Sequence, residues 1–280
     1  MVGIILAGGY GTRVYPCTKV VSKQLLPVYD KPTIYYPLST LIKLGIKDIL
    51  IISNKTADIF SLLNTGKHLG LNITYETQNQ PRGIAEALII GEKFIGKNDV
   101  VLALGDNIFT GINYKKQSGA TIVGYKVRNP QEYGVVEIGE NNIVTSIEEK
   151  PKQPKSDIAV TGLYFYDNTA PARAKKLQQS SRGELEITDL NKSYLETGDL
   201  NLSILNEEHA WFDTGNPDDL FSASMYIKSI QDRTNTMIGC IEGESYKQGF
   251  ISDTEFHDLI VNMPKCLYRN SVINSYKILD

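Results

Sequence analysis

The start of the chain combines a glycine-rich turn with two basic side chains. An apolar run ending at Ala7 leads into Gly8-Gly9-Tyr10-Gly11-Thr12-Arg13, and Lys23 follows ten residues later. Glycines allow the backbone to approach a ligand closely and to present several N–H groups together. Arg13 and Lys23 add formal positive charge beside this turn. The combination predicts a binding site for a polyphosphate, such as that of a nucleotide.

The spacing of this turn excludes two common phosphate-binding motifs. Counted from Gly9, a dinucleotide-binding fingerprint requires glycine at the sixth position, which here is Val14. The Gly-Lys-Ser/Thr string that ends a P-loop occurs nowhere in the chain. A glycine-rich turn by itself is usually a simple strand-to-loop connection. The two nearby cations are what favour a phosphate site of a third type.

Two aspartates follow predicted strands. Asp106 lies in Leu104-Gly105-Asp106-Asn107, and Asp213 precedes the start of a predicted helix at Asn216. Carboxylates beside a polyphosphate suit Mg²⁺, which is commonly bound by one or two carboxylates together with substrate phosphates. An Asp after a strand is, however, about as often a turn former or a helix cap. The pattern around Asp106 leaves both interpretations open.

The string Glu148-Glu149-Lys150-Pro151 is the third candidate. It ends an alternating segment and precedes a loop that contains proline. A carboxylate here would bind sugar hydroxyls, and the lysine beside it would bind a second phosphate. A solvated charge cluster is the usual alternative for such a run, and local spacing does not decide between the two.

The first half of the chain predicts alternating strands and helices that would position these residues. Short apolar runs predict strands at Val2–Ala7, Asp48–Ser53, Leu71–Glu76 and Val100–Leu104. Helical patterns are predicted at Leu38–Leu44, Ala57–Leu63 and Ile84–Phe94. Such alternation indicates an α/β fold with a parallel sheet covered on both faces. Ligands of these sheets bind at the carboxyl ends of the strands, where the glycine turn and Asp106 lie.

The pattern changes after residue 119. More regular alternation at 120–128, 134–138, 143–148 and 159–166 predicts an antiparallel or mixed extension of the sheet. A helix over Glu184–Thr197 and a strand over Leu200–Leu205 follow. Asn216 and Pro217 then give the cap and first position of another helix. Residues 240–280 combine short helical and irregular signals.

Composition restricts the possible partners and compartment. The formal net charge of -3 argues against nucleic-acid binding, and no basic run suggests a membrane surface. The three cysteines and three histidines show neither a disulfide framework nor metal-ligand spacing. The chain shows no signal-peptide pattern and no run of transmembrane length. We therefore expect a cytoplasmic protein without nucleic-acid or membrane partners.

Seven motifs occur together in an order that closely resembles the glucose-1-phosphate thymidylyltransferases of the sugar-nucleotidyltransferase family. The resemblance covers about residues 2–230. The motifs are Gly8-Gly9-Tyr10-Gly11-Thr12-Arg13, Lys23 to Pro32, Leu104 to Asn107, Ser146 to Pro151, Thr161 to Tyr166, Arg182 to Asp189 and Ala210 to Gly215. The resemblance implies a Rossmann-like fold: a mixed, mostly parallel sheet flanked by helices, with a smaller β-rich part that binds the sugar.

The resemblance also implies a reaction. The family transfers a thymidylyl group from dTTP to α-D-glucose 1-phosphate and releases pyrophosphate, the first step of a dTDP-rhamnose type pathway. A sugar phosphate oxygen attacks the α-phosphorus in line, so no covalent intermediate is expected. Catalysis should then depend on positioning and on charge stabilisation. Mg²⁺ is the implied cofactor, and a homotetramer is the implied assembly.

Carried over position by position, the resemblance implies roles for named residues. The implied catalytic residues are Arg13, Lys23, Asp106, Lys150 and Asp213. Arg13 would neutralise the leaving pyrophosphate, and Asp106 with Asp213 would hold Mg²⁺. The implied nucleotide-binding residues are Leu6, Gly8, Gly9, Gly11, Thr12, Arg13, Lys23, Gln78, Gly83 and Asp106, with Gln78 and Gly83 at the base. The implied sugar-phosphate residues are Gly134, Glu149, Lys150, Val160, Tyr164 and Trp211, with a core role for Trp211 as the alternative.

Three points of the resemblance differ in this chain. The segment 108–119 is shorter than in most relatives, which should leave one sheet face less covered. Relatives with the longer pattern often bind an end product at a second site, and residues after 235 also depart from the common pattern. Arg82 stands where relatives often carry a small or acidic residue.

We expect three parts in the chain and leave two other functions open. A nucleotidyltransferase domain should span residues 1–235, with a nucleotide part over about 1–118 and a sugar-binding part over about 119–235. Residues 236–280 should form a helical or irregular extension. One methyl group separates thymine from uracil, so a UTP-dependent sugar-1-phosphate uridylyltransferase is one alternative. A catalytically inactive nucleotide-sugar sensor is the other, because fold alone does not separate it from an enzyme.

Overall fold

The computed structural model describes residues 1–112, 117–140 and 143–277. Within these residues the strands are β1 Val2–Ala7, β2 Pro27–Val28, β3 Lys31–Pro32, β4 Asp48–Ser53, β5 Asn72–Thr77, β6 Val100–Leu104, β7 Asn107–Phe109, β8 Ala120–Lys126, β9 Gly134–Ile138, β10 Val144–Glu149, β11 Ile158–Tyr166, β12 Leu200–Ile204 and β13 Trp211–Asp213. The helices are α1 Tyr35–Lys43, α2 Thr56–Leu63, α3 Glu86–Ile90, α4 Glu92–Ile95, α5 Ala170–Ala174, α6 Ile187–Leu195, α7 Pro217–Thr234, α8 Ile241–Lys247, α9 Asp253–Asn262 and α10 Leu267–Tyr276.

A nine-stranded sheet forms the centre of the fold. Strands β6, β1, β4 and β5 lie side by side and parallel, as their short apolar sequences predict. Strand β11 joins this group antiparallel to β6 and pairs on its other edge with β8, which is parallel to β12. The antiparallel pair β9–β10 attaches through Ala159 of β11. The predicted mixed, mostly parallel α/β fold is confirmed.

Helices cover the sheet on both sides, and each side has its own apolar core. One core includes Ile4, Leu102 and Tyr166, packed beneath α3 and α6. The other includes Ile5, Ile51 and Leu163, packed beneath α1 and α2. Neighbouring residues such as Ile4 and Ile5 face opposite sides because side chains alternate along a strand. A strand buried on both faces therefore reads as a continuous apolar run.

The two-stranded ribbon β7–β13 lies at the carboxyl end of β6. It pairs Trp211 with Phe109 and Asp213 with Asn107, although these residues are about a hundred positions apart in the chain. The predicted cap of α7 is present, since Asn216 Oδ1 accepts a hydrogen bond from the Asp219 N–H at 2.9 Å. The ribbon and this cap fix the backbone on both sides of Asp213.

The predicted helix over Ile84–Phe94 is wrong as a single element. The structure has two short helices, α3 and α4, which meet at Gly91. A Cβ atom on Gly91 would lie 2.6 Å from Ile4 Cδ1. The backbone at Gly91 therefore lies close to the sheet, and its ψ angle of 2° departs from the helical value, so the helix is interrupted here.

The chain after α7 continues as α8, α9 and α10. Helix α8 packs on α1, and the Lys43 ammonium lies 3.7 Å from Glu244 of α8. Among the described residues, no helix is long and apolar enough to span a membrane. The division at residues 118 and 235 stays a prediction. Residues 113–116 of the shortened segment lie outside the described residues, so the expected loss of cover over the sheet also stays a prediction.

Candidate active site

The glycine turn follows β1 directly. Gly9 and Gly11 adopt φ angles of +91° and +62°, the left-handed region that side chains with a Cβ atom disfavour. Two side chains hold the turn by its carbonyl oxygens: Gln24 Nε2 donates to Gly8 O at 3.1 Å and Thr18 Oγ1 donates to Gly11 O at 2.8 Å. Within the part of the chain that the structure describes, the N–H groups of Gly8, Gly9 and Gly11 donate no hydrogen bond. They are available to an anion.

Lys23 lies beside this turn and forms an ion pair with Asp106. Its Nζ donates to Asp106 Oδ2, and both side chains are largely buried. Gly105 N donates to Leu6 O at 2.9 Å, which fixes the Asp106 loop against the end of β1. Lys23 therefore neutralises a carboxylate in the free protein, and a phosphate would compete with Asp106 for its ammonium.

Asp106 and Asp213 are brought together by the backbone. The N–H and the hydroxyl of Thr214 both donate to Asp106 O, at 3.0 and 2.7 Å. Both aspartates line one cleft. The juxtaposition expected from the sequence is therefore present.

The two carboxyl groups have opposite pKa shifts. Burial would raise the pKa of Asp106, but the adjacent Lys23 ammonium outweighs burial and holds this pKa below its ordinary value. Burial and, after it, the neighbouring Asp106 carboxylate raise the pKa of Asp213 to about 6, against the lowering effects of Lys23 and Arg13. Two close negative charges without enough compensation form a site that favours an additional cation.

The side chains at this place supply part of the ligand set that a hard divalent metal ion needs. Asp106 and Asp213 offer carboxylate oxygens, which Mg²⁺ prefers. Among the described residues no group of three His, Cys, Asp or Glu side chains forms a metal cluster. A metal ion held by two carboxylates needs oxygens from other sources, and substrate phosphates supply such oxygens in many enzymes. The residues present therefore fit a metal bound together with substrate.

The cleft has a volume of about 250 Å³. The predicted site residues that line it are Arg13, Asp106, Gly134, Glu149, Lys150, Val160, Tyr164, Trp211 and Asp213. The predicted residues outside its lining are Leu6, Gly8, Gly9, Gly11, Thr12, Lys23, Gln78 and Gly83. The structure thus gathers all of the residues expected around the sugar phosphate. Of the residues expected around the nucleotide, Arg13 and Asp106 line the cleft and Gln78 lines a second cavity.

Lys150 has an unusual backbone conformation. Its φ angle is +44°, and its N–H donates to Tyr133 O at 3.0 Å. A non-glycine residue in this region is strained, and such strain is concentrated at functional sites. Its side chain is exposed, and within the described residues it forms no ion pair. The Lys150 ammonium is therefore available to an incoming anion.

Glu149 lies opposite Gly134 in the β9–β10 pair. Its Oε2 accepts a hydrogen bond from Thr188 Oγ1 at 2.6 Å, and its Oε1 lies 3.3 Å from Arg182 Nη2. A Cβ atom on Gly134 would lie 3.2 Å from Thr188 Oγ1, so a larger residue here would crowd the carboxylate. The result is an oriented carboxylate on the wall of the cleft.

Trp211 has a structural role as well as a place in the cleft. It is 8% exposed, packs edge-on against Tyr125 and Tyr133, and donates from Nε1 to Asn107 Oδ1 at 2.6 Å. The packing and the hydrogen bond of Trp211 make its core role the better supported of its two interpretations. Tyr164 is buried at the floor of the cleft, where burial raises the pKa of its phenol.

Gln78 packs against the glycine turn, and Gly83 packs against the segment that precedes α6. A Cβ atom on Gly8 would lie 2.3 Å from Gln78 Oε1, so the side-chain amide fills the space that glycine leaves. Gly83 has a φ angle of +101° and packs against the backbone of Leu185. Gln78 lines a second cavity of about 300 Å³, which contains no residue of the first cleft.

Asn107 is a site residue to which sequence reasoning gave no role. Its Oδ1 accepts from Gly162 N at 3.0 Å and from Trp211 Nε1 at 2.6 Å, while its Nδ2 donates to Asp106 Oδ1 at 3.1 Å. Arg182 and Thr188, which orient Glu149, were also given no role. All three lie in the motifs that carry the family resemblance. The feature that identifies Asn107 in the structure is that it is a buried polar residue at the end of a strand.

Comparisons with known proteins agree with this geometry. A family model described as nucleotidyl transferase matches residues 2–230. A glucose-1-phosphate thymidylyltransferase of Neisseria meningitidis is 50% identical over 99% of this chain and 100% of its own length. A Mycobacterium tuberculosis protein of the same name is 45% identical over 98% of each chain. Such relatives align with nearly the whole chain, so they also extend over residues after 235.

Two solved structures resemble the fold. A Bacillus anthracis protein assigned to the glucose-1-phosphate thymidylyltransferases, crystallised with a sucrose, has a TM-score of 0.75 and 42% identity over 81% of this chain and 94% of its own. A UDP-glucose pyrophosphorylase complexed with UDP-glucose has a TM-score of 0.70 at 22% identity, over 82% of this chain and 100% of its own, and supports the fold alone. The chain is therefore an enzyme of the nucleotidyl transferase family, among the glucose-1-phosphate thymidylyltransferases.

Proposed function

We propose that this enzyme transfers a thymidylyl group from dTTP to α-D-glucose 1-phosphate and releases pyrophosphate. The observation that carries the proposal is the arrangement of charge in the cleft. The carboxylates Asp106 and Asp213 line one cleft together with the cations Arg13 and Lys150, and Lys23 forms an ion pair with Asp106. This arrangement is suited to two phosphorylated substrates that meet at one point.

The main physical problem of the reaction is repulsion between two polyanions. Coulomb repulsion is strong in a cleft that excludes water, and fixed cations offset it without reorganisation. We assign Arg13 to the leaving pyrophosphate and Lys23 to the α-phosphate. We assign the ammonium of Lys150, which is exposed and has no ion partner among the described residues, to the phosphate of the sugar.

Binding of the nucleotide would exchange one partner of Lys23 for another. In the free protein its Nζ contacts Asp106. A phosphate oxygen would take the ammonium and leave the Asp106 carboxylate free for a cation. The N–H groups of the glycine turn donate no hydrogen bond among the described residues, so they would be able to hold the phosphate chain.

We further propose that the divalent metal is Mg²⁺, held by Asp106 and Asp213. When bound, it would supply positive charge at the reacting phosphates. The sugar phosphate oxygen would attack the α-phosphorus in line, with pyrophosphate leaving on the opposite side. Positioning of the two substrates by this chain's residues would then account for most of the rate enhancement.

Glu149 is the proposed contact for hydroxyl groups of the hexose. Its carboxylate is oriented by Thr188 and Arg182, and an ionised carboxylate accepts hydrogen bonds only. Gly134, Val160 and Tyr164 would complete the wall of the sugar pocket. We propose no catalytic role for Cys17, since an in-line displacement needs no protein nucleophile.

The test is pyrophosphate release from a panel of nucleoside triphosphates and sugar 1-phosphates, with each product identified by mass. We expect dTTP, glucose 1-phosphate and Mg²⁺ together to give pyrophosphate and dTDP-glucose. A higher kcat/KM with UTP would instead identify a uridylyltransferase. Tight binding of nucleotide without any release would identify a sensor, and would contradict the proposal.

Two further features stay proposals that rest on the family. A homotetramer is expected, and light scattering on the purified chain would test it. A cytoplasmic location is expected from the unpaired cysteines, of which Cys17 and Cys266 are exposed. Fractionation of cells that express the tagged chain would test the location.

A further inference from the structure

A buried polar chain lies behind the proposed base site. Gln78 Nε2 donates to Glu86 Oε2 at 2.8 Å, and both side chains are at most 5% exposed. Arg82 binds the other carboxylate oxygen, Glu86 Oε1, through Nε at 2.8 Å and Nη2 at 2.5 Å. The three side chains form one hydrogen-bonded series that runs from solvent to the glycine turn.

This series determines the orientation of the Gln78 side-chain amide, that is, which side its nitrogen and its oxygen face. A carboxylate accepts hydrogen bonds and donates none, so the side of the amide that faces Glu86 must be its nitrogen. The Arg82 guanidinium supplies the counter-charge, and its two N–H groups hold the carboxylate in one orientation. The oxygen of the amide is then forced to the opposite side, against Gly8.

Gln78 Oε1 has no hydrogen-bond donor among the residues that the structure describes. A ligand that donates a hydrogen bond to this oxygen gains that interaction. The imide N3–H of thymine or uracil is such a donor. The corresponding ring nitrogen of cytosine is an acceptor and would meet the oxygen lone pair unfavourably.

We propose that the Arg82–Glu86 ion pair is a positioning device that locks the Gln78 amide with its oxygen toward the nucleotide, and so selects bases with an imide N–H. The inference rests on the proposed function and on the role that the family resemblance implies for Gln78, contact with the base. Neither Arg82 nor Glu86 touches substrate in this assignment; both act through Gln78. The selection is against cytosine, and it leaves the choice between thymine and uracil to other contacts.

The test uses Glu86→Gln and, as a second variant, Arg82→Met. A glutamine at position 86 can donate or accept, so it no longer dictates the orientation of the Gln78 amide. Arg82 has a side chain that is 59% exposed, so its replacement threatens folding less than a change at buried Glu86. Glu92→Gln is the matched control, because Glu92 forms an exposed ion pair with Lys175 away from the base site.

The measurements are the dissociation constants for dTTP and dCTP by calorimetry, and the KM for glucose 1-phosphate. We expect the preference for dTTP to fall about tenfold in Glu86→Gln, the equivalent of one hydrogen bond, and by a smaller factor in Arg82→Met. The KM for glucose 1-phosphate and the values for Glu92→Gln should match the unmodified enzyme. Melting temperatures identify any variant that is not folded.

An unchanged dTTP-to-dCTP ratio in both folded variants would overturn the inference. So would an equal loss of affinity for both nucleotides, which is the signature of a merely structural role. Failure of the proposed function is a different result: the unmodified enzyme would then release no pyrophosphate from dTTP and glucose 1-phosphate. The two failures are therefore distinguished by the unmodified enzyme alone.

Discussion

Replacement of Asp213 by asparagine should stabilise the protein while it abolishes turnover. Asp213 is a buried carboxyl beside the Asp106 carboxylate, and both effects raise its pKa to about 6. A raised pKa means that the ionised form is disfavoured in the folded state. Asparagine keeps the shape of the side chain without the charge, so it removes this cost. The same change removes a proposed metal ligand.

The size of the stabilisation follows from the pKa. The ordinary value for this carboxyl is 3.8, against about 6 in the folded protein. At about 1.4 kcal/mol for each pKa unit, the difference corresponds to about 3 kcal/mol at pH 7. Since the folded pKa lies above the unfolded one, protonation of Asp213 favours the folded state. That contribution is complete below about pH 4 and is lost as the pH rises through about 6.

The assay is urea unfolding of the unmodified chain and of Asp213→Asn at pH 7.5 and pH 4. We expect the variant to be more stable by about 1–3 kcal/mol at pH 7.5 and by much less at pH 4. Asp218→Asn is the control, because Asp218 is an exposed carboxylate in the first turn of α7. Its substitution should change the free energy of unfolding by less than about 0.5 kcal/mol.

Turnover by the same variant separates function from folding. A loss of kcat of about 100-fold or more is expected for a group that acts on the reacting charges. A variant that is destabilised at pH 7.5, or one that is equally stabilised at both pH values, would refute the electrostatic reasoning. A stable variant with near-normal turnover would instead refute the metal assignment.

Three other substitutions test separate parts of the site. Lys150→Ala should raise the KM for glucose 1-phosphate at least tenfold and lower kcat much less, because the Lys150 ammonium is proposed to bind the sugar phosphate. Steady-state kinetics measures both parameters. Arg13→Ala should lower kcat about 100-fold with little change in either KM, as loss of charge stabilisation at the leaving group predicts. Asn107→Ala should destabilise the fold by about 2–4 kcal/mol in urea, since it leaves the Trp211 N–H and a backbone N–H without acceptors.

A control for Lys150→Ala exists on the surface of the same chain. Lys155→Ala removes a lysine whose ion pair with Glu137 is exposed, and it should leave the KM for the sugar phosphate unchanged. Equal kinetic effects of Lys150→Ala and Lys155→Ala would mean that general charge, rather than a specific contact, is responsible. A fully stable Asn107→Ala would mean that its hydrogen bonds are replaced by water.

The alternating strands and helices of the first half could be predicted because local patterns specify them. Strands such as Val2–Ala7 and Asp48–Ser53 are apolar in their interiors, since a parallel sheet covered on both faces buries the side chains there. The start of α7 could be predicted because its cap uses residues within three positions of one another. Local signals of this kind do not depend on how the chain folds elsewhere.

The prediction of a single helix over Ile84–Phe94 was wrong for the opposite reason, because this segment depends on non-local contacts. The break lies at Gly91, whose backbone lies against Ile4, nearly ninety residues earlier in the chain. No pattern within the segment records that contact. The order in which strands lie in the sheet, including the attachment of β9 and β10 beside β11, is non-local in the same way.

By itself the sequence identified the charged groups of the site. Arg13, Lys23, Asp106, Lys150 and Asp213 follow from residue type, spacing and resemblance, because motifs that bind phosphate need those groups in that order. Tertiary structure alone decided how they are paired. Lys23 contacts Asp106, and the β7–β13 ribbon sets Asp213 beside it. Hydrogen bonds between residues about a hundred positions apart produce that ribbon, and burial together with a neighbouring charge gives Asp213 its raised pKa.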